Sequence, residues 1–371
     1  MVVIKSKNDC LVVANKDSLV FFDRNSQTTQ AVEIPEPILP ENLTKGQIEV
    51  LKKEDRTVTS LSFSKNGEYC VVSTENKQVI VFDSKLQAVK NFIVNRAASK
   101  VLFTSHNDVI VADKTGDVYL YKLNEEPQPI LLLGHLSVVF DVILSECEKY
   151  IITCDRDEKI RVSYFPNAYN IVSFCLGHKE FVTTLKIVKN TLISASGDGT
   201  FRYWNYLNGK ELELVNSNQY IKDDSILQAF SKEMDEEKVD VTALPIIDLQ
   251  VHENGRVFVA VSIYNVSGIQ LYVTDLSCYK TTFIKNIQMN CNISSFFLGK
   301  FLYILSDNLY SYKLHNEDYE LCGDIQFDDF YKKYCQDSKL SSYNSITAYY
   351  KRKFDNVQEY LERKKQRLES K

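Results

Sequence analysis

The sequence lacks the features that mark secreted, membrane-spanning or zinc-binding proteins. Its nine cysteines are scattered over 371 residues and include no CxxC pair, which argues against a structural zinc site and favours free thiols. No apolar run approaches the length that spans a bilayer. The first ten residues, MVVIKSKNDC, lack the long apolar centre of a signal peptide. We therefore expect an intracellular protein.

Motifs that would bind a nucleotide or activate a nucleophile are also missing. The chain contains no GxGxxG, GxxxxGK[ST] or GxSxG sequence, each of which has a defined mechanical role at a site. The Gly-rich segment 197–200 lies between two predicted strands and not before a helix, so it predicts a hairpin turn. From these absences we predict no catalytic residue, no cofactor and no metal.

Charge is distributed unevenly along the chain. The formal net charge is −5, yet residues 343–371 carry eight Lys or Arg and four Asp or Glu. This tail therefore contributes +4, and the preceding 342 residues carry −9. Proteins that bind nucleic acid alone usually present a dominant positive face. Any RNA contact must accordingly be local, or be supplied by a partner.

One segment, residues 177–206, has the layout of a four-stranded WD-repeat blade. A Gly-His pair precedes an apolar run, a Gly-Asp-Gly turn and a strand that ends at the only tryptophan of the chain. We expect a hydrogen-bonded tetrad in which Asp198 accepts from His178, His178 bonds Ser194, and Ser194 bonds the indole of Trp204. An ordinary hairpin with these residues is the alternative, and recurrence of the pattern upstream disfavours it.

The preceding segment repeats the pattern with one member changed. His135 lies 43 residues before the next Gly-His histidine, a period that suits four strands and their turns. Thr153 and Asp157 take the positions of the serine and aspartate, so we predict that they complete a second tetrad with His135. Ser163 stands where the tryptophan would be, and this tetrad therefore lacks its indole.

The whole pattern predicts an all-β fold, a seven-bladed WD-repeat β-propeller over residues 1–320, followed by a C-terminal extension over 321–371. We expect a long surface loop at 24–56 and a polar insertion at 207–239 that contains a short helix. Residues 2–4 are predicted to close the ring as the outer strand of the last blade, because closure removes exposed sheet edges.

Residues 155–161, DRDEKIR, form an unusually ionic turn, with six charged side chains in seven positions. Because side chains alternate along a strand, Lys159 and Arg161 should point to the same side. One interpretation is a solvated turn whose charges cancel. The other is a docking patch for a partner protein, in which an arginine holds a carboxylate through two bonds.

The tail predicts an amphipathic helix from about residue 345, since Tyr350, Phe354, Val357 and Leu361 follow helical spacing. One interpretation packs this helix on its own propeller. In the other, basic side chains contact RNA phosphate or a partner, and the candidates are Lys351, Arg352, Lys353, Arg363, Lys364 and Lys365.

Several of these segments carry a resemblance to a known family. They are ADKTGDVY (112–119), DRDEKIRVS (155–163), SFCLGHKEFV (173–182), SGDGTFRYW (196–204) and the tail YYKRKFDNVQEYL (349–361). Together they closely resemble the WD-repeat, non-catalytic subunit of the tRNA (guanine-N7-)-methyltransferase complex, the Wuho family. Strong similarity covers about residues 105–205 and the tail.

The resemblance implies a nuclear scaffold, with a cytoplasmic pool left open, that forms a heterodimer with the catalytic methyltransferase subunit. That partner would bind S-adenosylmethionine and methylate a guanine in the tRNA variable loop, while this chain helps to seat the tRNA. The family's partner contacts map onto Lys159 and Arg161, with Arg156 and Glu158 as secondary candidates. The alternative is a general WD-repeat adaptor, such as a substrate receptor of a ubiquitin ligase, that binds peptides at the central channel.

Overall fold

Seven four-stranded antiparallel sheets are the main feature of this chain. A computed structural model describes residues 2–7, 10–39, 44–53, 55–322, 327–335 and 346–351. Each sheet is built from consecutive strands. The first three contain β1–β4 (Val2–Lys7, Cys10–Asn15, Ser18–Asp23, Thr28–Glu33), β5–β8 (Val58–Phe63, Tyr69–Thr74, Gln78–Asp83, Ala88–Ile93) and β9–β12 (Ala98–Phe103, Val109–Asp113, Asp117–Tyr121, Ile130–Gly134).

The other four sheets follow the same order. They contain β13–β16 (Val139–Leu144, Tyr150–Asp155, Ile160–Tyr164, Ile171–Cys175), β17–β20 (Val182–Val188, Thr191–Ser196, Thr200–Asn205, Lys210–Asn216), β21–β24 (Ile246–Asn254, Arg256–Ile263, Gly268–Asp275, Lys280–Gln288) and β25–β28 (Ser295–Leu298, Phe301–Leu305, Leu309–His315, Asp318–Leu321). The helices are α1 (Lys45–Lys53), α2 (Asp224–Glu236) and α3 (Asp328–Tyr334), with 3₁₀ turns at Ser217–Tyr220 and Ile346–Tyr349. No helix in the described ranges is both long and apolar enough to cross a membrane.

The sheets are arranged as a ring, which confirms the predicted seven-bladed propeller. The first strand of every sheet contacts the first strands of both neighbouring sheets, and β1 meets β25 to close the circle. The second and third strands of the second and fifth blades are almost fully buried, because both of their faces pack on adjacent blades. Their richness in Val, Ile and aromatic residues suits strands that are covered on both sides.

The prediction for residues 2–4 is wrong. They belong to β1, which pairs with β2 as the innermost strand of the first blade. Ile4 is buried there, and its backbone N–H donates to Ser295 Oγ of the last blade at 3.2 Å. The first blade already has an outer strand in β4, and the last blade has its own in β28, so neither requires an exchanged strand.

A short helix covers the junction between the first and last blades. Phe327 and Phe330 beside and within α3 pack on Phe22 of β3, with ring centroids 5.3 and 5.9 Å apart. Asn15 Nδ2 donates to the carbonyl oxygen of Tyr334 at 2.7 Å. This aromatic packing ties the two ends of the ring together, which is the task that an exchanged strand would otherwise perform.

Two segments predicted as irregular contain regular structure. Residues 24–56, predicted as a long surface loop, supply β4 and α1. The predicted polar insertion at 207–239 supplies β20 and also α2, and α2 confirms the helix expected there. Outer blade strands such as β20 expose most of their residues, so they lack the apolar alternation that identifies a strand in the sequence.

Candidate partner-binding site

The tetrad of the fifth blade is present as predicted. His178 Nδ1 lies 3.0 Å from Asp198 Oδ2, and His178 Nε2 lies 2.7 Å from Ser194 Oγ. Trp204 Nε1 donates to Ser194 Oγ at 2.8 Å. Burial lowers the pKa of His178 despite the nearby carboxylate, so the ring is neutral, with Nδ1–H donating and Nε2 accepting. Burial raises the pKa of Asp198, but the hydrogen bond and charge of His178, together with hydrogen bonds from Thr200 and the backbone N–H of Lys179, outweigh burial and lower this pKa overall.

In the fourth blade one tetrad member differs from the prediction. His135 Nε2 lies 2.8 Å from Thr153 Oγ1 as expected, but Nδ1 lies 2.9 Å from Asp155 Oδ2 and not from Asp157. Both aspartates are close in sequence, and strand pairing gives Asp155 the place that Ser196 has in the fifth blade. An aspartate at this strand end reaches the histidine, whereas the serine bonds a backbone carbonyl instead.

Asp155 also shapes the charged turn (residues 155–161) that joins β14 to β15. Its Oδ1 accepts hydrogen bonds from the backbone N–H of Asp157 at 2.9 Å and of Lys159 at 3.2 Å. Glu158 has a φ of +64°, a left-handed conformation that favours glycine and closes the turn tightly. A buried histidine and a buried carboxylate therefore fix the backbone from which the charged side chains project.

The structure separates the two principal partner-binding candidates. Lys159 is exposed, and its ammonium has no ion-pair or hydrogen-bond partner among the described residues. Arg161 is half-buried and donates from Nε to Ser163 Oγ at 3.0 Å, from Nη1 to Gly134 O at 3.2 Å and from Nη2 to Ala168 O at 2.9 Å. Arg161 thus links the fourth blade to the end of β12 in the third blade, whereas Lys159 offers a free positive charge.

The secondary candidates, Arg156 and Glu158, also differ from each other. Arg156 Nε is buried and has no hydrogen-bond partner in the described part of the chain. Glu158 accepts from Lys351 Nζ at 2.5 Å. This buried donor of Arg156 is left without an acceptor at a cost in free energy, whereas Glu158 already has a cation from the tail. Their role as partner contacts remains a prediction.

The start of the C-terminal tail lies beside the charged turn. Tyr350 is buried, with its ring 4.9 Å from that of Phe181 and 6.2 Å from that of Phe230. The ring of Phe181 approaches so closely that a Cβ on Gly197 would lie 2.5 Å from it, so only glycine fits there. Lys351 then reaches the turn and lies 3.7 Å from Asp157 Oδ1 in addition to its bond with Glu158. Residues 346–351 thus pack on the propeller, whereas packing of the predicted helix through Phe354, Val357 and Leu361 stays a prediction, because those residues lie outside the described ones.

The remaining predicted tail contacts cannot be placed on this surface. Residues 352–371, which include Arg352, Lys353, Arg363, Lys364 and Lys365, lie outside the described residues. The amphipathic helix expected from about residue 345 lies largely outside them too, and its described beginning is the 3₁₀ turn Ile346–Tyr349. Lys351, named as a candidate RNA contact, makes ion pairs within the chain instead.

A half-buried carboxyl, that of Glu180, lies at the contact between turn and tail. Burial raises the pKa of Glu180 to about 7, the negative charges of Glu158 and Asp198 add to this shift, and the positive charge of Lys351 opposes it. Near neutral pH this carboxyl therefore exchanges between two charge states. The Lys351 ion pairs are part of an electrostatic cluster that responds to protonation.

This surface also has exposed apolar side chains, which were not predicted from the sequence. Leu136 is fully exposed, and Phe174 and Leu176 are 41% and 63% exposed. Phe174 lies directly across the strand pair from Arg161, whose guanidinium bonds the carbonyl of residue 134 close to Leu136. We call Leu136, Phe174, Leu176 and the charged turn the blade-four rim. Clustered exposed apolar side chains with charged neighbours are typical of interaction surfaces, and the leucines next to both Gly-His pairs were the available signal.

Comparison with solved structures supports the fold alone. A chain in a crystal structure of the mitotic checkpoint complex superposes with a TM-score of 0.65 at 13% identity, covering 85% of this chain and 90% of that one. The crystal structure of RRP9 WD40 repeats gives a TM-score of 0.63 at 15% identity, covering 82% and 86%. Both are far from this chain in sequence, so they establish the propeller architecture.

Sequence relatives are more informative. The family model described as the tRNA methyltransferase TRM82 WD40 domain matches residues 23–130 and 123–300. The tRNA (guanine-N(7)-)-methyltransferase non-catalytic subunit wuho of Drosophila pseudoobscura pseudoobscura is 32% identical over 91% of this chain and 86% of its own length. The corresponding non-catalytic subunit WDR4 of Homo sapiens is 37% identical over 54% of this chain and 47% of its own length. The chain belongs to the family of WD-repeat non-catalytic subunits of tRNA (guanine-N(7)-)-methyltransferases.

Proposed function

We propose that this chain is the non-catalytic scaffold of a tRNA guanine-N7 methyltransferase complex and binds the catalytic subunit through the blade-four rim. The observation that supports this most directly is the rim itself, where exposed apolar side chains adjoin an ionic turn held rigid by Asp155 and His135. The relatives' names state a non-catalytic role within such a complex. Family membership thus favours this function over that of a general adaptor.

The rim has the composition expected of a specific interface. Apolar centres such as Leu136 and Leu176 exclude water, and charged groups around them set orientation and partner choice. Lys159 is free to bind a carboxylate, and Arg156 carries an unpaired buried N–H. We therefore infer that the partner presents at least one acidic side chain next to an apolar surface.

The negative charge of the propeller body makes it a poor binding surface for tRNA. Because residues before the tail sum to −9, the propeller body repels phosphate at long range. We propose that the catalytic subunit supplies most of the tRNA surface. Basic residues of the tail beyond Lys351 add a local contact, since they follow directly from a segment anchored beside the rim. A nuclear location of this complex remains part of the proposal.

Charge reversal on the rim tests the proposal. The double variant Arg156→Glu, Lys159→Glu should weaken binding of the catalytic subunit by about 2–5 kcal/mol, because it replaces attraction by repulsion at desolvated charges. Calorimetry with the purified catalytic subunit measures the loss, and co-purification provides a second measurement. Lys313→Glu on β27 is the matched control, an exposed lysine on the seventh blade.

The control should bind like the unchanged chain. Unaltered affinity of the double variant would show that the rim does not contact the catalytic subunit. The adaptor hypothesis makes a different prediction, namely capture of unrelated peptides by the central channel with no effect of either substitution on tRNA methylation.

A further inference from the structure

The centre of the propeller contains a cavity of about 540 Å³ that the first strands of the blades line. Three of these strands contribute a lysine, namely Lys5 from β1, Lys100 from β9 and Lys186 from β17. Two further strands contribute an aspartate, Asp141 from β13 and Asp248 from β21. Formal charge within the cavity is therefore positive when the lysines are protonated.

Both carboxylates already have internal partners. Asp141 Oδ1 lies 2.9 Å from Lys100 Nζ, and its Oδ2 accepts from the backbone N–H of Leu185 at 2.9 Å. Asp248 accepts from Gln250 Nε2 at 2.8 Å and from the backbone N–H of Leu249 at 2.8 Å. Both carboxylates of the cavity are thus hydrogen-bonded, and one of the three lysines is neutralised directly.

The other two lysines differ from Lys100. The ammonium groups of Lys5 and Lys186 have no hydrogen-bond or ion-pair partner in the described ranges, although both side chains are partly buried. Burial lowers the pKa of Lys5 to about 7, and the positive charges of Lys186 and Lys100 add to this shift. Burial followed by repulsion from Lys100 also lowers the pKa of Lys186. The cavity therefore holds three lysines against two aspartates, one of which already pairs with Lys100, so its positive charges are not fully balanced.

Two serine hydroxyls also line the cavity. Ser60 Oγ accepts from the backbone N–H of Val101, and Ser295 Oγ accepts from that of Ile4, each at 3.2 Å. Each hydroxyl still has its O–H to donate. The cavity therefore offers two hydroxyl donors in addition to the two unpaired ammonium groups.

We propose that the central cavity is a binding site for a small multivalent oxyanion of the phosphate or sulfate class, held by Lys5 and Lys186 with help from the two serine hydroxyls. Charge-assisted hydrogen bonds to such an anion satisfy the unpaired ammonium groups. This site is separate from the blade-four rim and does not depend on a partner subunit.

Proton linkage gives the site a recognisable pH dependence. A bound anion keeps Lys5 protonated, so affinity is highest below pH 7 and declines as pH rises above it. Because sulfate keeps its charge over this pH range, any change in affinity comes from protonation of the protein. The charged groups that face Lys5 across the cavity are Lys100, Lys186, Asp141 and Asp248, of which the aspartates oppose the downward shift.

The test is isothermal titration of the full chain with sodium sulfate at constant ionic strength, at pH 6.5 and pH 8.5, repeated with inorganic phosphate at pH 6.5. We expect one saturable site per chain, with tighter binding at the lower pH. The double variant Lys5→Met, Lys186→Met should lose about tenfold or more in affinity per lysine. Lys210→Met, at an exposed lysine on β20, is the matched control and should bind like the unchanged chain.

Thermal unfolding guards against a variant that merely fails to fold. Without sulfate, the double methionine variant should melt at or above the temperature of the unchanged chain, because it removes mutually repelling buried charges. Added sulfate should raise the melting temperature of the unchanged chain and not that of the double variant. Absence of saturable binding overturns the proposal, and so does equal sulfate binding by a folded double variant.

Discussion

At the scale of single residues, Asp155 determines the form of the candidate interface. Its two oxygens bind the imidazole of His135 and the backbone N–H groups of Asp157 and Lys159. One buried carboxylate therefore links the interior of the fourth blade to the ionic turn on its surface. The backbone donors of the turn are therefore satisfied by a buried side chain that is itself hydrogen-bonded to His135.

Substitution of the two aspartates distinguishes the buried acceptor from its exposed neighbour. Asp155→Ala should lower the free energy of unfolding by about 2–4 kcal/mol, because it leaves the buried imidazole of His135 and two backbone N–H groups of the turn without an acceptor. Asp157→Ala should cost less than about 1 kcal/mol, since its contact with Lys351 is a partly exposed ion pair. Denaturant titration measures both values, and equal losses would contradict the assignment of Asp155 to the tetrad.

Glu180 predicts a pH effect of known sign. Its pKa is raised to about 7 in the folded state, above the ordinary value of about 4.3 expected when unfolded. The folded chain therefore binds more protons between those values, and this residue's contribution to stability falls as pH rises through that window.

Glu180→Gln should accordingly raise the melting temperature at pH 8 and leave it nearly unchanged at pH 4. After allowance for partial exposure, the gain at pH 8 is about 1 kcal/mol. Melting curves across this pH range measure it, with the exposed turn residue Glu146 changed to Gln as the control. A gain that is the same at both pH values would show that charge is not the cause.

The tetrads also show how far residue-level patterns can be predicted. Fixed spacing and complementary donors identified His178, Ser194, Asp198 and Trp204. The same spacing chose Asp157 in the preceding blade, because two aspartates stand two positions apart and only the local backbone decides which one faces the histidine. Sequence spacing predicts which residue types form the tetrad. Which of two nearby aspartates takes part depends on where the strand ends.

At the scale of elements, the described beginning of the tail packs as part of the propeller. Tyr350 inserts among aromatic side chains of the fifth blade and of α2, and Lys351 pairs with the charged turn. Residues that follow in the sequence therefore start from an anchor beside the blade-four rim. This placement allows one segment to contact both the partner and the scaffold.

Removal of the Tyr350 ring should free the start of the tail from its contacts with the propeller. Tyr350→Ala deletes a buried aromatic ring and should make the peptide bond after Lys351 more than about tenfold faster to cleave by trypsin, because cleavage follows the population of the open state. Tyr169→Ala is the control, as its ring is 74% exposed. Unchanged cleavage of the Tyr350 variant would contradict the docking of this segment.

The second strands and the outer strands of the blades were not equally predictable from the sequence. Second strands such as β6 and β18 carry apolar runs, because both of their faces are buried. Outer strands such as β4 are mostly exposed and polar, so the sequence alone placed this one in a loop. The exposed apolar residues of the blade-four rim were not predicted for a related reason. An apolar residue in a blade is normally expected in the core.

At the scale of the whole molecule, the ring is closed without exchange of a strand. Contacts between β1 and β25, together with the aromatic packing of α3 on Phe22, join its ends. Because the ring is closed, the blade-four rim, the tail anchor and the central cavity are all built on one continuous set of packed blades. The molecule has the properties of a scaffold, because its functional surfaces are held on buried strands.

The most direct test of the central claim is methyl transfer to tRNA by the purified catalytic subunit, measured with and without an equimolar amount of this chain. We expect a clear increase in rate on addition of the chain, a smaller increase with the Arg156→Glu, Lys159→Glu variant and no transfer by the chain alone. Methyl transfer by the chain alone, or an unchanged rate on its addition to the catalytic subunit, would show that the chain is not a scaffold for the catalytic subunit.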